Sequence, residues 1–104
     1  MRGGRAPTLA ELRDRRDEIL RIAAAHGAAN VRVFGSVARG QADAASDVDL
    51  LVDIVADADG FAYFGLLEDL RRALAAALDT EVDVVDSAAL RRMRERVLRE
   101  AIPL

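Results

Sequence analysis

Residues 47–55 read Asp47-Val48-Asp49-Leu50-Leu51-Val52-Asp53-Ile54-Val55. Apolar and acidic side chains alternate, which predicts a β-strand over 48–55 with one apolar face and one face that carries carboxylates. Asp47 and Asp49 leave the same face with Cα atoms about 7 Å apart. Two carboxylates so placed can bind a divalent cation, because Mg²⁺ takes one or two carboxylates together with phosphate oxygens. A solvated edge strand explains the pair as well, so this segment alone leaves both interpretations open.

A third carboxylate lies in another apolar segment. Residues 81–85 are predicted to form a strand, and Asp83 is the acidic residue inside its run of valines. Residues 56–80 are long enough for a crossover, which makes the two strands parallel neighbours. Asp83 can then point to the same place as Asp47 and Asp49. Three carboxylates on one face suit a two-metal site that supports an in-line displacement.

A phosphate-binding turn is predicted just upstream, where a strand over 31–34 meets Gly35-Ser36. Glycine permits a tight turn and a close approach of the backbone to a ligand. Ser36 adds a hydroxyl, and Arg39 adds a permanent charge with a planar set of donors. A short helix over residues 37–40 would offer free amide groups to phosphate. One element can therefore hold a triphosphate while the next holds metal ions.

The remaining pattern indicates an α/β chain of the α+β type, with a small mixed β-sheet flanked by helices. Thr8 and Glu11 form a capping box that opens a helix ending near His26, and a second long helix is predicted over 61–78. Strands one and two are expected to be antiparallel. Ser87 is expected to cap a last helix that exposes Ile102 and Leu104. We expect a flexible N-terminus at 1–7 and one domain at 8–104.

Composition excludes several kinds of chemistry. The 104 residues include no cysteine and no lysine, which rules out thiolate zinc sites, cysteine nucleophiles and Schiff bases. Aromatic residues make up 4% and the net charge is −3, so a protein built to grip nucleic acid is disfavoured. No apolar run is long enough to span a bilayer. The expected location is cytoplasmic, without direct contacts to nucleic acid or membrane.

Gly35-Ser36, ten intervening residues, Asp47-Val48-Asp49 and the later Asp83 together resemble the signature of the DNA polymerase β-like nucleotidyltransferase superfamily. The runs at 35–40 and 46–52 are similar to those of the minimal nucleotidyltransferases. This resemblance covers residues 9–104 and implies the polymerase β-like nucleotidyltransferase fold. Val37 departs from the pattern, since many relatives carry a larger or charged residue there.

The resemblance also implies a function. Asp47 and Asp49 would bind Mg²⁺, and Asp83 would complete the metal site and favour deprotonation of the acceptor hydroxyl. Nucleotide-binding positions would be Gly35, Ser36, Arg39 and Ser46. Such proteins transfer AMP from ATP to a tyrosine of a HEPN-domain toxin, so the chain would be the antitoxin of that hetero-oligomeric pair.

Two other functions stay open. The chain could neutralise its partner by steric binding without catalysis, or it could transfer a nucleotide to a small molecule such as an antibiotic. Residues with a structural interpretation are also part of the prediction. Phe61, Tyr63 and Phe64 are expected in the core, Asp53 at a solvated strand end, and Asp79 and Asp86 in turns.

Overall fold

The fold is a four-stranded mixed sheet flanked by helices. The computed structural model describes residues 7–40, 47–90 and 101–104, with Ser36 and Leu90 described through the backbone only. Along the chain the elements are α1 Leu9–Asp14, α2 Arg16–Ala25, β1 Ala28–Phe34, α3 Gly35–Ala38, β2 Val48–Ile54, α4 Gly60–Leu78, β3 Val82–Asp86, α5 Ser87–Leu90 and β4 Ile102–Pro103. The predicted fold class is confirmed.

The sheet order is β3-β2-β1-β4. Strands β2 and β3 are parallel, with α4 as the crossover between them, and β1 is antiparallel to β2. Both pairings agree with the prediction from connection length. The most deeply buried residues lie on the two central strands, β1 and β2, and on α1, α2 and α4. They are Leu12, Ile19, Val33, Val48, Leu50, Leu51, Val52, Leu70 and Leu74.

The first helix is interrupted, so the prediction of one helix from Thr8 to His26 is wrong. The capping box is present, because Thr8 and Glu11 exchange their backbone and side-chain hydrogen bonds. The chain leaves the helix at Arg15 and begins α2 one residue later. Residues 13–18 are all charged. No apolar side chain in that segment holds a continuous helix against the sheet.

The chain end forms a fourth strand, which sequence analysis missed. Ile102 and Pro103 pair with Val33 and Arg32 of β1, and the Leu104 N–H donates to the Val31 carbonyl at 3.0 Å. Leu104 is buried. The prediction that Ile102 and Leu104 are exposed on a helix is therefore wrong. Proline is tolerated on an edge strand because it needs to donate no ladder hydrogen bond there. The predicted helical stripe at 93–98 lies outside the described residues.

The beginning of α4 is exposed, which corrects the expected core position of two phenylalanines. Phe61 is 97% exposed and Phe64 is 68% exposed. The buried residues of α4 begin only at Leu70, so the first part of this helix does not contact the core with its aromatic side chains. Of the three aromatic residues at the start of α4, Tyr63 alone is partly buried. Among the described helices, none combines the length and the apolar character needed to cross a membrane.

Candidate active site

The centre of the site is a pair of carboxylates on adjacent strands. Asp49 of β2 and Asp83 of β3 are register partners in the parallel ladder. Register partners in a parallel pair point to the same face, and their strands are about 4.8 Å apart. The predicted convergence of Asp83 with Asp49 therefore follows from the register. Asp47 comes just before β2, on the same side as Asp49 by strand alternation.

The charges of Asp47 and Asp83 act on the carboxylate of Asp49. Burial raises the pKa of Asp49, and the negative charges of Asp83 and Asp47 raise it further, while Arg39 acts in the opposite direction. Asp49 is half-buried, and Asp47 and Asp83 are exposed. Within the described ranges, no three acidic or histidine side chains stand close enough to form a ready-made metal cage. The prediction that these three aspartates bind metal stays a prediction.

Gly35 allows Asp49 to occupy its position. The backbone φ of Gly35 is +73°, a region that side chains disfavour. A Cβ atom at Gly35 would also overlap the Asp49 Oδ2 atom. Phe34, the residue before it, is the register partner of Asp49 across β1 and β2. Two separate features therefore favour glycine at this position. They are its positive φ and its close contact with the Asp49 carboxylate.

Two other predicted nucleotide-binding residues, Ser36 and Arg39, lie next to this turn. The backbone of Ser36 is in α3, and Arg39 is the C-cap of that helix. Arg39 is exposed and its charge reaches Asp49. The helix thus begins two residues earlier than the predicted 37–40. Ser46 lies outside the described residues.

The donor set fits a hard divalent cation such as Mg²⁺. Carboxylate oxygens are the ligands that Mg²⁺ prefers. Asp49 is disfavoured in its ionised form by burial and by two like charges. A bound divalent cation would reverse that balance, because it stabilises ionised carboxylates. Asp47, Asp49 and Asp83 are the residues that would hold it.

A separate polar network lies at the far end of β2, and sequence analysis missed it. Asp53 accepts hydrogen bonds from Arg32 at 2.6 Å, from Asn30 at 2.9 Å and from the hydroxyl of Ser87. These bonds lower the pKa of Asp53, with that from Ser87 contributing most. Asp53 is thus held by three partners rather than lying free at a solvated strand end. Alternation places it on the acidic face of β2, but its partners become visible only through the tertiary structure.

Asp86 also differs from its predicted role as a turn residue. It is buried at the end of β3, where its carboxylate accepts a 2.5 Å hydrogen bond from the Tyr63 hydroxyl. Its other oxygen accepts from the Ala88 N–H at 3.0 Å, so Asp86 caps α5 in place of Ser87. Asp79 does lie in a turn, with a φ of +50° after α4.

Residues 12–103 match the family described as nucleotidyltransferase domain. The chain belongs to this family. A solved structure named "Structure of putative minimal nucleotidyltransferase" is 46% identical, with a TM-score of 0.77, and the match covers 94% of this chain and 97% of that one. No curated protein matched. The resemblance deduced from Gly35-Ser36 and the aspartates is therefore confirmed.

Membership of the nucleotidyltransferase family relates these carboxylates to a known class of reaction. Domains of this family generally use nucleotide substrates and a divalent metal ion. The Gly35 turn, the Asp49–Asp83 pair and the nearby Arg39 bring a tight backbone turn, two carboxylates and a positive charge together. These are the components that transfer of a nucleotidyl group requires.

Proposed function

We propose that this nucleotidyltransferase transfers AMP from ATP to a tyrosine hydroxyl of a HEPN-domain toxin and thereby acts as its antitoxin. The observation that carries the proposal is the register pairing of Asp49 with Asp83 beside Gly35. It supports a site where phosphate, cation and acceptor hydroxyl meet. The similarity to a minimal nucleotidyltransferase supports the assignment of this chain to the small enzymes of the family.

In the proposed reaction, the tyrosine oxygen attacks the α-phosphorus of ATP. A new O–P bond forms while the bond from the α-phosphorus to the bridging oxygen breaks, and pyrophosphate leaves with that electron pair. The hydroxyl proton passes to the Asp83 carboxylate, which is exposed and so reachable by an incoming protein. The products are the AMP-modified tyrosine, pyrophosphate and one proton.

Each residue near the turn has a separate task in this proposal. Bound Mg²⁺ would supply neutralisation of phosphate charge. Asp49 is held against the Gly35 turn, which fixes its oxygen atoms relative to the nucleotide. Arg39 supplies a permanent positive charge for phosphate. Ser36, whose backbone lies in α3, is assigned to contact with the phosphates.

Mass spectrometry tests the transfer directly. A purified HEPN-domain protein is incubated with the purified chain, ATP and Mg²⁺, and its tyrosine peptides are analysed for one added AMP group. We expect modification by the native chain and none by Asp49→Asn or Asp83→Asn. Asp53→Asn is the matched control, because Asp53 shares the face of Asp49 but is engaged by Arg32, Asn30 and Ser87.

The same variants separate catalysis from steric neutralisation. If the native chain adds no AMP while it still silences the toxin, neutralisation occurs by binding. Loss of silencing in Asp49→Asn, with binding retained, supports the enzymatic proposal. Modification that persists in Asp83→Asn would remove Asp83 from its assigned role.

A further inference from the structure

The first half of α4 carries an aromatic surface, formed by Phe61 and Phe64. Phe61 is 97% exposed and Phe64 is 68% exposed, and Val55 on the preceding connection is 69% exposed. The Phe64 ring contacts Tyr63 edge-on, with centroids 5.5 Å apart, which anchors one side of the surface. Exposed aromatic side chains in a group indicate a protein interface more often than isolated apolar residues do.

Gly65 of the same helix is a second, independent indication of a protein interface. It lies inside α4 and is exposed, and no described atom lies within 4 Å of the place where a Cβ would be. Glycine is a poor helix former, so it weakens α4 without serving packing inside the described molecule. A missing side chain allows close approach from outside. Phe61 precedes Gly65 by one helical turn, so the two lie side by side on the helix surface.

An open groove continues from Gly65 towards the end of α2. Small side chains line much of it, and the lining includes Ala24, Ala56, Ala62, Gly65, Leu66 and Asp69. The exposed aromatic side chains form a ridge along α4, and the groove forms a channel beside it. This shape suits a helix of another protein better than it suits a small polar ligand.

The charge around the surface selects the partner. Residues 55–70 contain four acidic residues and no basic ones. Asp57, Asp59 and Asp69 are exposed, whereas Glu68 pairs with Arg71 at 2.5 Å. Such an acidic border attracts a cationic surface and repels a phosphate backbone. The complementary partner is therefore a protein with basic side chains beside apolar ones.

We infer that the aromatic surface of α4 docks a basic, amphipathic helix of the protein that receives the nucleotide. This inference rests on the proposed function for the identity of that protein. Val55, on the connection that leads into α4, follows Asp49 by six residues, which separates the two by up to about 20 Å along the direction of β2. Docking and transfer therefore use different residues and can be removed one at a time.

Binding to the HEPN-domain protein is measured by titration calorimetry with the full chain. We expect the double variant Phe61→Ser/Phe64→Ser to bind at least about tenfold more weakly, because it loses two aromatic side chains that the docked helix would bury. Ala76→Ser is the matched control, because Ala76 is exposed on the same helix beyond the surface. Asp57→Asn/Asp59→Asn should weaken binding less and reduce its dependence on salt.

Gly65→Ala provides a readout that a purely structural role cannot produce. Alanine favours the helix, so the isolated chain should melt at a higher temperature. Binding to the HEPN-domain protein should nevertheless weaken, because a methyl group then occupies the line of close approach. A more stable chain with unchanged affinity would overturn the role of Gly65 in docking.

The outcomes for docking and for transfer are distinguishable. Unchanged affinity in the Phe61→Ser/Phe64→Ser variant overturns the docking site, even if the native chain transfers AMP. Docking that depends on these residues without any AMP transfer supports the surface and refutes the proposed reaction. Sedimentation of the chain alone tests a second copy as the occupant. A dimer that the double variant disperses would overturn the assignment to a different protein.

Discussion

Asp49 and Asp53 point from the same face of β2, four residues apart, yet their carboxyl pKa values shift in opposite directions. Burial and two neighbouring carboxylates raise the pKa of Asp49. Hydrogen bonds from Ser87 and Asn30, together with Arg32, lower that of Asp53. One strand thus carries a carboxylate whose charge Arg39 compensates only in part and another that is well compensated. Asp49 is therefore suited to bind a cation, whereas Asp53 stabilises the fold through its hydrogen bonds.

Asp49→Asn should stabilise the chain in the absence of divalent cations. Ionisation of Asp49 is disfavoured in the folded state, so native stability falls as the pH rises from the ordinary value of 3.8 through the raised pKa. The variant avoids this loss. Since solvent screens the half-buried group, we expect a gain of about 0.5 kcal/mol at pH 7. Urea unfolding at pH 3 and pH 7 measures it, and a less stable variant at pH 7 would contradict the prediction.

Asp53→Asn should have the opposite effect. The lowered pKa of Asp53 means that its stabilisation is present above the ordinary pKa of 3.8 and is lost as the pH falls through the folded value. We expect a loss of about 1 kcal/mol at pH 7, modest because the Asp53 side chain is 38% exposed. The two unfolding curves should converge in acid. A stability difference that is the same at pH 7 and at pH 3 would refute the electrostatic explanation.

Gly35→Ala should abolish AMP transfer, whereas Gly40→Ala should preserve it. Both glycines have a positive φ, +73° and +71°, so each variant pays a backbone cost of about 1 kcal/mol. Only at Gly35 would the new Cβ overlap Asp49, since no described atom lies near that of Gly40. Thermal unfolding and the transfer assay together separate the two effects. Equal activity losses would show that backbone strain, and not the contact with Asp49, is responsible.

Magnesium should stabilise the native chain when an unreactive ATP analogue is bound. Binding to the folded state alone adds about 1.4 kcal/mol at ten times the dissociation constant. We expect this increase in melting temperature to disappear in Asp49→Asn and Asp83→Asn and to persist in Asp53→Asn. Stabilisation of the two site variants equal to that of the native chain would place the cation elsewhere.

Tyr63 should ionise only at strongly alkaline pH. Burial, followed by the hydrogen bond to Asp86, raises the pKa of Tyr63 to about 12. It is the single tyrosine and the chain has no tryptophan, so ultraviolet absorbance follows this residue alone. Because the folded pKa is raised, stability should decline as the pH rises from 10 towards 12. An ionisation near pH 10 in the folded chain would show that the phenol is free.

Tyr63→Phe tests the same bond at neutral pH. Among the described residues, Asp86 would keep only the Ala88 N–H as a hydrogen-bond partner in a buried position. We expect a loss of about 1–2 kcal/mol in the free energy of unfolding. AMP transfer should be unaffected once the variant is folded, because Asp86 lies three residues beyond Asp83 on the opposite face of β3.

Local patterns in the sequence were sufficient for much of the site. The alternation around Asp49 predicted β2 and its faces, and the length of the connection predicted that β3 is a parallel neighbour. Gly35 was identified as the turn. The interruption at Arg15 was missed because helical spacing links Leu12 to Ile19 across a segment that no apolar side chain holds in place. Edge strand β4 was missed because two residues with a proline carry no strand periodicity.

The sequence by itself determined which residues could do chemistry, since residue type and spacing fix the carboxylates, the glycine turn and the order of the main elements. Only the tertiary structure decided that Asp49 is the register partner of Asp83, that Asp53 is engaged by Arg32 and Ser87, and that Phe61 faces solvent. Those outcomes depend on contacts between residues far apart in the chain. Periodicity describes how one segment divides into faces, but it does not say which segment covers each face.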